Sequence, residues 1–277
     1  MSSVTISAAD VNKLRQQTGA GMMDCRKALM ESDGDFEKAI DYLRKKGQKV
    51  AANRSDREAK EGVVIAKASG NYGIIINLSS ETDFVAKNEE FIEFAQKLAD
   101  IALETKATTI DDLKAAQLDG ATVGEKLLEM VAKIGEKIDI IRFEQVTAET
   151  VVPYIHAGYR IGVLVGMNKA ANENVETAGK DVAMQIAAMN PMAVDENGVS
   201  EEMLAREKAI AVEQVMAEGK PADMAEKIAQ GKLNKFFKEN TLLPQAFVKD
   251  NSKSVGDYLK SVEADLTVTT FKRVAVG

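Results

Sequence analysis

The sequence predicts an α+β fold with two strand–turn–strand cores. Three observations carry that reading. Apolar residues recur at helical spacing through the first 47 residues. The pattern then changes to paired strands around Gly70-Asn71-Tyr72-Gly73. A similar strand pair returns around Gly158-Tyr159-Arg160, again followed by a helix.

The elements follow in order. Ser7-Ala8-Ala9-Asp10 is a helix start, with Val11 and Leu14 on one face, and Thr18-Gly19-Ala20-Gly21 breaks that helix. Met22, Cys25 and Leu29 align on a second helix. Asp33-Gly34-Asp35 turns the chain into a third, where Phe36, Ala39, Ile40 and Leu43 share a stripe and Gly47 is read as the end. Residues 48–61 are polar and of mixed charge, a linker that could be helical. The period then shifts from 3.6 to 2, and Val63–Lys67 and Ile74–Leu78 make a β-hairpin. Phe91, Phe94, Leu98 and Ile101 mark the next helix. Of two further helical stretches, the second opens on a Thr122-x-x-Glu125 capping box and carries Val123, Leu127, Val131 and Ile134. Ile138–Val146 reads as a strand.

The second strand pair is Val151–Ile155 and Ile161–Val165, with Tyr159 matching Tyr72 as a turn tyrosine. A helix with Val175, Val182, Ile186 and Met189 follows and stops at Asn190-Pro191. This repetition implies an internal duplication. Met184, Met189 and Met192 are read as core packing. Ser200 to about Asn240 is a helical hairpin turning at Gly219-Lys220-Pro221. Leu242–Val248 is extended, Ser254–Val262 helical, and Leu266–Val276 a final strand that could rejoin the second sheet.

Composition bounds the function. The 277 residues carry 43 acidic against 36 Lys and Arg side chains, a net charge of −7, with 5% aromatic residues and no Trp. Phosphate neutralisation and base stacking therefore have little to draw on, and direct nucleic-acid binding is not expected. The single cysteine, Cys25, allows no internal disulfide. Met1-Ser2-Ser3-Val4 has neither the basic start nor the apolar run of a signal peptide, and no apolar stretch reaches membrane-spanning length. A cytoplasmic protein is expected. His156 is the only histidine, so no Cys/His zinc site can be assembled. Neither a nucleophile elbow nor a phosphate-binding Gly-Lys-Ser/Thr loop is present. No catalytic residue, metal or cofactor is expected.

Glu81-Thr82-Asp83-Phe84-Val85-Ala86-Lys87-Asn88 lies between a strand end and a helix start. Two arrangements suit it: Phe84 folds back into the core while Asp83 caps the helix, or Phe84 projects as an apolar wedge beside a fixed negative charge.

This segment, with Thr18–Leu29, Gly70-Asn71-Tyr72-Gly73, Lys133-Ile134-Gly135-Glu136, His156–Val165 and Gly219-Lys220-Pro221 followed by Ala225-Glu226-Lys227, resembles the elongation factor Ts family. The resemblance runs from about residue 5 to the end. It implies a ubiquitin-associated-like three-helix domain with linker (1–55), a first core subdomain (56–146), a second (147–192 and 241–277), and an inserted helical hairpin (193–240) of a dimerisation type. The core sheets are expected to be antiparallel. It implies a nucleotide-exchange partner, the GTPase elongation factor Tu. Thr82, Asp83, Phe84 and Val85 would push into that GTPase and dislodge Mg²⁺ and GDP, with further contacts from Met22, Met23, Ile134, Gly135 and His156. A homodimer or 2:2 complex is compatible with it. The sequence departs from many relatives by stopping at Gly277, where they continue into a helix gripping the partner, and by Ala246 where proline is common. The first departure implies that this contact is missing. Two other readings remain: an adaptor binding helical or ubiquitin-like ligands through the N-terminal helices, and an enzyme using Asp83 and His156 as an acid/base pair.

Overall fold

Ser7 accepts from the Asp10 N–H while Asp10 reaches back to Ser7, and this capping box starts α1 (Ala8–Thr18), which ends at Gly19 in the left-handed region. The computed structural model describes residues 5–219 and 222–277; Met1–Val4 and the Lys220-Pro221 part of the predicted hairpin turn lie outside the described residues. The chain divides into two compact units. One gathers residues up to 65, 75–143 and 275–277, the other 66–74 and 144–274.

In the first unit α1 packs with α2 (Met22–Glu31) and α3 (Phe36–Ala52) around Leu14, Cys25, Ala28, Leu29, Ala39 and Leu43. The helix stop read at Gly47 is wrong: α3 continues to Ala52. A Cβ on Gly47 would lie 2.8 Å from the Leu128 carbonyl oxygen. The glycine is there because two helices approach closely, not because one ends. The stripe read through Met22 is also wrong, since burial in α2 begins at Cys25.

Next come β1 (Glu61–Ser69) and β2 (Tyr72–Ser80), joined through Gly70-Asn71. The predicted period of 2 does not describe their centres. Val63, Val64 and Ile65, then Ile74, Ile75 and Ile76, are all buried in succession, so the hairpin is covered on both faces. Tyr72 opens β2 rather than occupying the turn. The single helical turn α4 (Asp83–Ala86) leads to α5 (Glu89–Thr105), which buries Phe91, Phe94 and Leu98. Then follow α6 (Ile110–Ala115), the small ladder β3 (Gln117–Leu118) and β4 (Ala121–Thr122), and α7 (Val123–Ile134), started by the expected Thr122–Glu125 capping box. The two-residue strands β3 and β4 are too short to leave a periodic signal. The strand β5 (Asp139–Thr147) completes a sheet ordered β1-β2-β5.

The second unit contains β6 (Thr150–His156) and β7 (Ile161–Met167), antiparallel from Thr150 opposite Met167 to His156 opposite Ile161. The helix α8 (Glu173–Met189) packs Val175, Ala178, Val182 and Ile186 into this unit's core and ends at Asn190 in the left-handed region. Contrary to the core assignment, Met189 and Met192 are about half exposed; the buried stripe ends at Ala187, one turn earlier. The pair α9 (Glu201–Ala217) and α10 (Ala222–Asn240) forms the expected helical hairpin. Beyond it lie β8 (Ala246–Phe247), β9 (Asp250–Ser254), α11 (Val255–Val262) and β10 (Val268–Ala275). The last strand joins β7, giving the order β10-β7-β6. Phe247 stacks on Tyr258 with ring centres 4.2 Å apart. The architecture is thus mixed helix and antiparallel sheet, α+β as expected.

Candidate functional site

The most exposed aromatic ring among the described residues stands at the end of β2. Phe84 is 83% exposed, so the arrangement in which it folds into the core does not occur. Nor does Asp83 cap the helix. The cap is Thr82, whose hydroxyl accepts from the Val85 N–H at 3.5 Å. Asp83 instead pairs with Lys87 one turn on, at 2.6 Å, and that bond and charge hold its carboxyl below its ordinary value. Asp83 and Val85 are half-buried and Ala86 is buried, so α4 is anchored by its last residue and presents Phe84 alone fully outward.

The turn is braced from α7. Gly135 ends that helix with φ +79°, a conformation that costs glycine little. Glu136 follows, and its carboxylate takes three donors: the Glu81 N–H at 3.0 Å, the Thr82 N–H at 3.0 Å and the Thr82 hydroxyl at 2.7 Å. In return the Lys137 N–H donates to Glu81 at 2.6 Å. Glu81 also accepts from Arg54 at 2.8 Å and Arg57 at 3.0 Å. Desolvation pushes its carboxyl upward, but the Lys137 N–H and the two arginines outweigh that and hold it at about 2. Lys137 Nζ donates to the Ser55 and Arg57 carbonyls at 2.6 and 2.9 Å, tying the segment after α3 to the same hub.

Other expected contact residues are more scattered. Met22 and Met23 open α2 and are 58% and 73% exposed. Ile134 is half-buried at the end of α7, beside Gly135. Lys133 pairs with Glu90. His156 belongs to the other unit. It is exposed at the end of β6, its Nδ1 is 2.9 Å from the Tyr154 hydroxyl, and it enters a turn whose next three residues, Ala157, Gly158 and Tyr159, all have positive φ. Asp83 and His156 thus each have their own partner, Lys87 and Tyr154. Among the described residues no cluster of three His, Cys, Asp or Glu side chains could hold a metal ion.

The sequence reading missed Glu81, Glu136, Arg54, Arg57 and Lys137. Glu136 stood in a quoted motif, but nothing in the spacing announced that its carboxylate reaches back to a strand end in a distant part of the chain.

A family model described as Elongation factor TS matches residues 81–277, beginning at the hub glutamate. The chain is 55% identical to Elongation factor Ts of Amoebophilus asiaticus over 276 residues, 99% of this chain and 100% of that relative. The chain belongs to the elongation factor Ts family. It is 51% identical to Elongation factor Ts of Flavobacterium psychrophilum over 275 residues, 99% of each chain. To that of Christiangramia forsetii it is 52% identical over 274 residues, 98% of this chain and 99% of the relative. Membership in a translation elongation factor family is compatible with a site that presents an exposed apolar ring. No helix among the described residues is long and apolar enough to cross a membrane.

Proposed function

We propose that this protein is a guanine-nucleotide exchange factor: it binds elongation factor Tu in its GDP form, displaces Mg²⁺ from that GTPase and promotes GDP release during translation elongation. The observation that carries the proposal is Phe84, an apolar ring kept in water on a turn held by ionic and backbone bonds. Keeping such a ring exposed stabilises nothing in the free protein, and a partner that buries it gains about 1.5–3 kcal/mol. That corresponds to roughly a 10- to 150-fold change in an equilibrium.

Mg²⁺ is held by few protein ligands together with waters and phosphate oxygens in a strict octahedral geometry. Inserting a ring beside such a site shifts the helices that shape it, and the ion loses affinity. One phenylalanine supplies only part of a strong effect, so Met22, Met23, Ile134, Gly135 and His156 serve as further contacts, the methionines through adaptable apolar surface. The coupling is reciprocal: a factor that weakens GDP is itself weakened by GDP. Nucleotide turnover then follows without this chain making or breaking a covalent bond, so it is not an enzyme in the chemical sense. Action in translation places it in the cytoplasm. The division into a three-helix domain (1–55), two core subdomains and a helical hairpin (193–240) belongs to the same reading. The test is direct. Catalytic amounts of the protein, mixed with elongation factor Tu carrying fluorescent GDP, should accelerate GDP release; an unchanged release rate would remove the proposal.

A further inference from the structure

A four-residue helix is too short to hold its own conformation in water. Left to itself, the turn carrying Phe84 would lay its ring against the nearest apolar surface, or would have to be ordered when a partner binds. Thr82 caps the turn only weakly, at 3.5 Å. The stronger bonds come from outside it. Glu136 accepts from the Glu81 and Thr82 backbone N–H groups and from the Thr82 hydroxyl, all at 2.7–3.0 Å, and these are charge-assisted bonds. Glu81 answers by accepting the Lys137 N–H. The two glutamates therefore cross-brace the end of β2 and the connection leaving α7. Arg54, Arg57 and Lys137 Nζ extend the brace to the segment after α3.

From this we infer that Glu136 is a positioning residue for Phe84: its carboxylate fixes the Glu81–Thr82 backbone, so that α4 presents the ring outward before any partner arrives. The consequence for nucleotide release rests on the exchange reading above; the brace itself does not. Glu136 touches no nucleotide in this account and acts only through the turn it holds.

The test is a double-mutant cycle between Glu136→Ala and Phe84→Ala, read as the GDP release rate from elongation factor Tu at saturating factor. Glu136→Ala should slow release on the order of 10-fold when Phe84 is present, since small misplacements of a working group are costly. With Phe84→Ala already made, the further loss should be under about 2-fold. Equal losses in both backgrounds, as a general weakening of the fold would produce, overturn the inference, and so does no loss with Phe84 present. If Glu136→Ala does not fold, the same cycle is run with Glu136→Gln. That side chain keeps its size but gives up the charge, and its one oxygen can accept from the two N–H groups or from the Thr82 hydroxyl but not from all three donors, so the loss with Phe84 present should be smaller yet still exceed the loss with Phe84→Ala. Backbone amide exchange supplies a second readout that needs no partner. The Thr82 N–H should be protected in the wild type and should lose protection selectively in the Glu136 variant; fast exchange already in the wild type overturns the brace. If the wild type fails to accelerate GDP release at all, the exchange reading falls, and the amide result alone decides the brace.

Discussion

Replacing Glu81 with glutamine should destabilise the protein at neutral pH, and the loss should fade as the solution is acidified. Glu81 is 16% exposed and accepts from Arg54, Arg57 and the Lys137 N–H. Burial alone would raise its carboxyl; those three donors hold it at about 2 instead of 4.5. At about 1.36 kcal/mol per pH unit the difference amounts to roughly 3 kcal/mol. Both arginines reach solvent, and screening brings the net contribution to about 1–2 kcal/mol. Because the folded value lies below the unfolded one, the stabilisation is complete above the unfolded value of 4.5 and is lost as pH falls toward 2. Urea unfolding of wild type and variant across a pH series measures this. The variant should be about 1–2 kcal/mol weaker at about pH 7, should have lost more than half of that difference by about pH 3, and should converge on the wild type only below about pH 2. No difference at neutral pH, or a difference that does not shrink with acid, would refute the reasoning.

Two glycines give sharper local tests. Gly47→Val places new atoms against the Leu128 carbonyl oxygen, 2.8 Å from the Cβ, and against Ala132; the overpacking should cost about 1–3 kcal/mol in urea unfolding, and an unchanged midpoint would contradict the close approach of α3 and α7. Gly135→Ala meets no atom within 4 Å, so only the backbone at φ +79° opposes it. The cost should be about 1–2 kcal/mol, with Gly135→Asn milder because asparagine tolerates the left-handed region; equal losses for the two would show that the conformation is not what matters.

The fold was legible where local chemistry decides it. Capping residues at Ser7 and Thr122, the break at Gly19 and the stop at Asn190 are properties of a few neighbouring residues, and each lies where the sequence put it. What misled was local chemistry serving a distant contact. Gly47 carries the signature of a helix end, but the partner that requires it, Leu128, is far along the chain. The hairpin centres were read as alternating because strands with one wet face alternate, whereas Val63–Ile65 and Ile74–Ile76 are dry on both faces. Tyr72 and Tyr159 looked equivalent in the two repeats, yet one starts a strand and the other sits in a longer turn at φ +68°.

The candidate site divides in the same way. Thr82–Val85 stood out as an apolar ring beside a charge in a strand–helix connection, and resemblance to a family gave it meaning. Whether Phe84 points in or out depends on what holds the turn, and that is a carboxylate contributed by Glu136 from the connection after α7. Two glutamates so far apart leave no periodicity to read. The hub of Arg54, Arg57, Glu81 and Lys137 was hidden for the same reason, its members lying in an ordinary polar linker and at two element ends.

Stopped-flow release of fluorescent GDP from elongation factor Tu, comparing the wild type with Phe84→Ala, bears most directly on the whole account. With the ring 83% exposed, its removal should leave thermal unfolding within about 0.5 kcal/mol of wild type. GDP release at saturating factor should nevertheless slow by about 10-fold or more. A variant that ejects GDP as fast as the wild type would contradict the claim that Phe84 is the part of this molecule that opens the partner's nucleotide site.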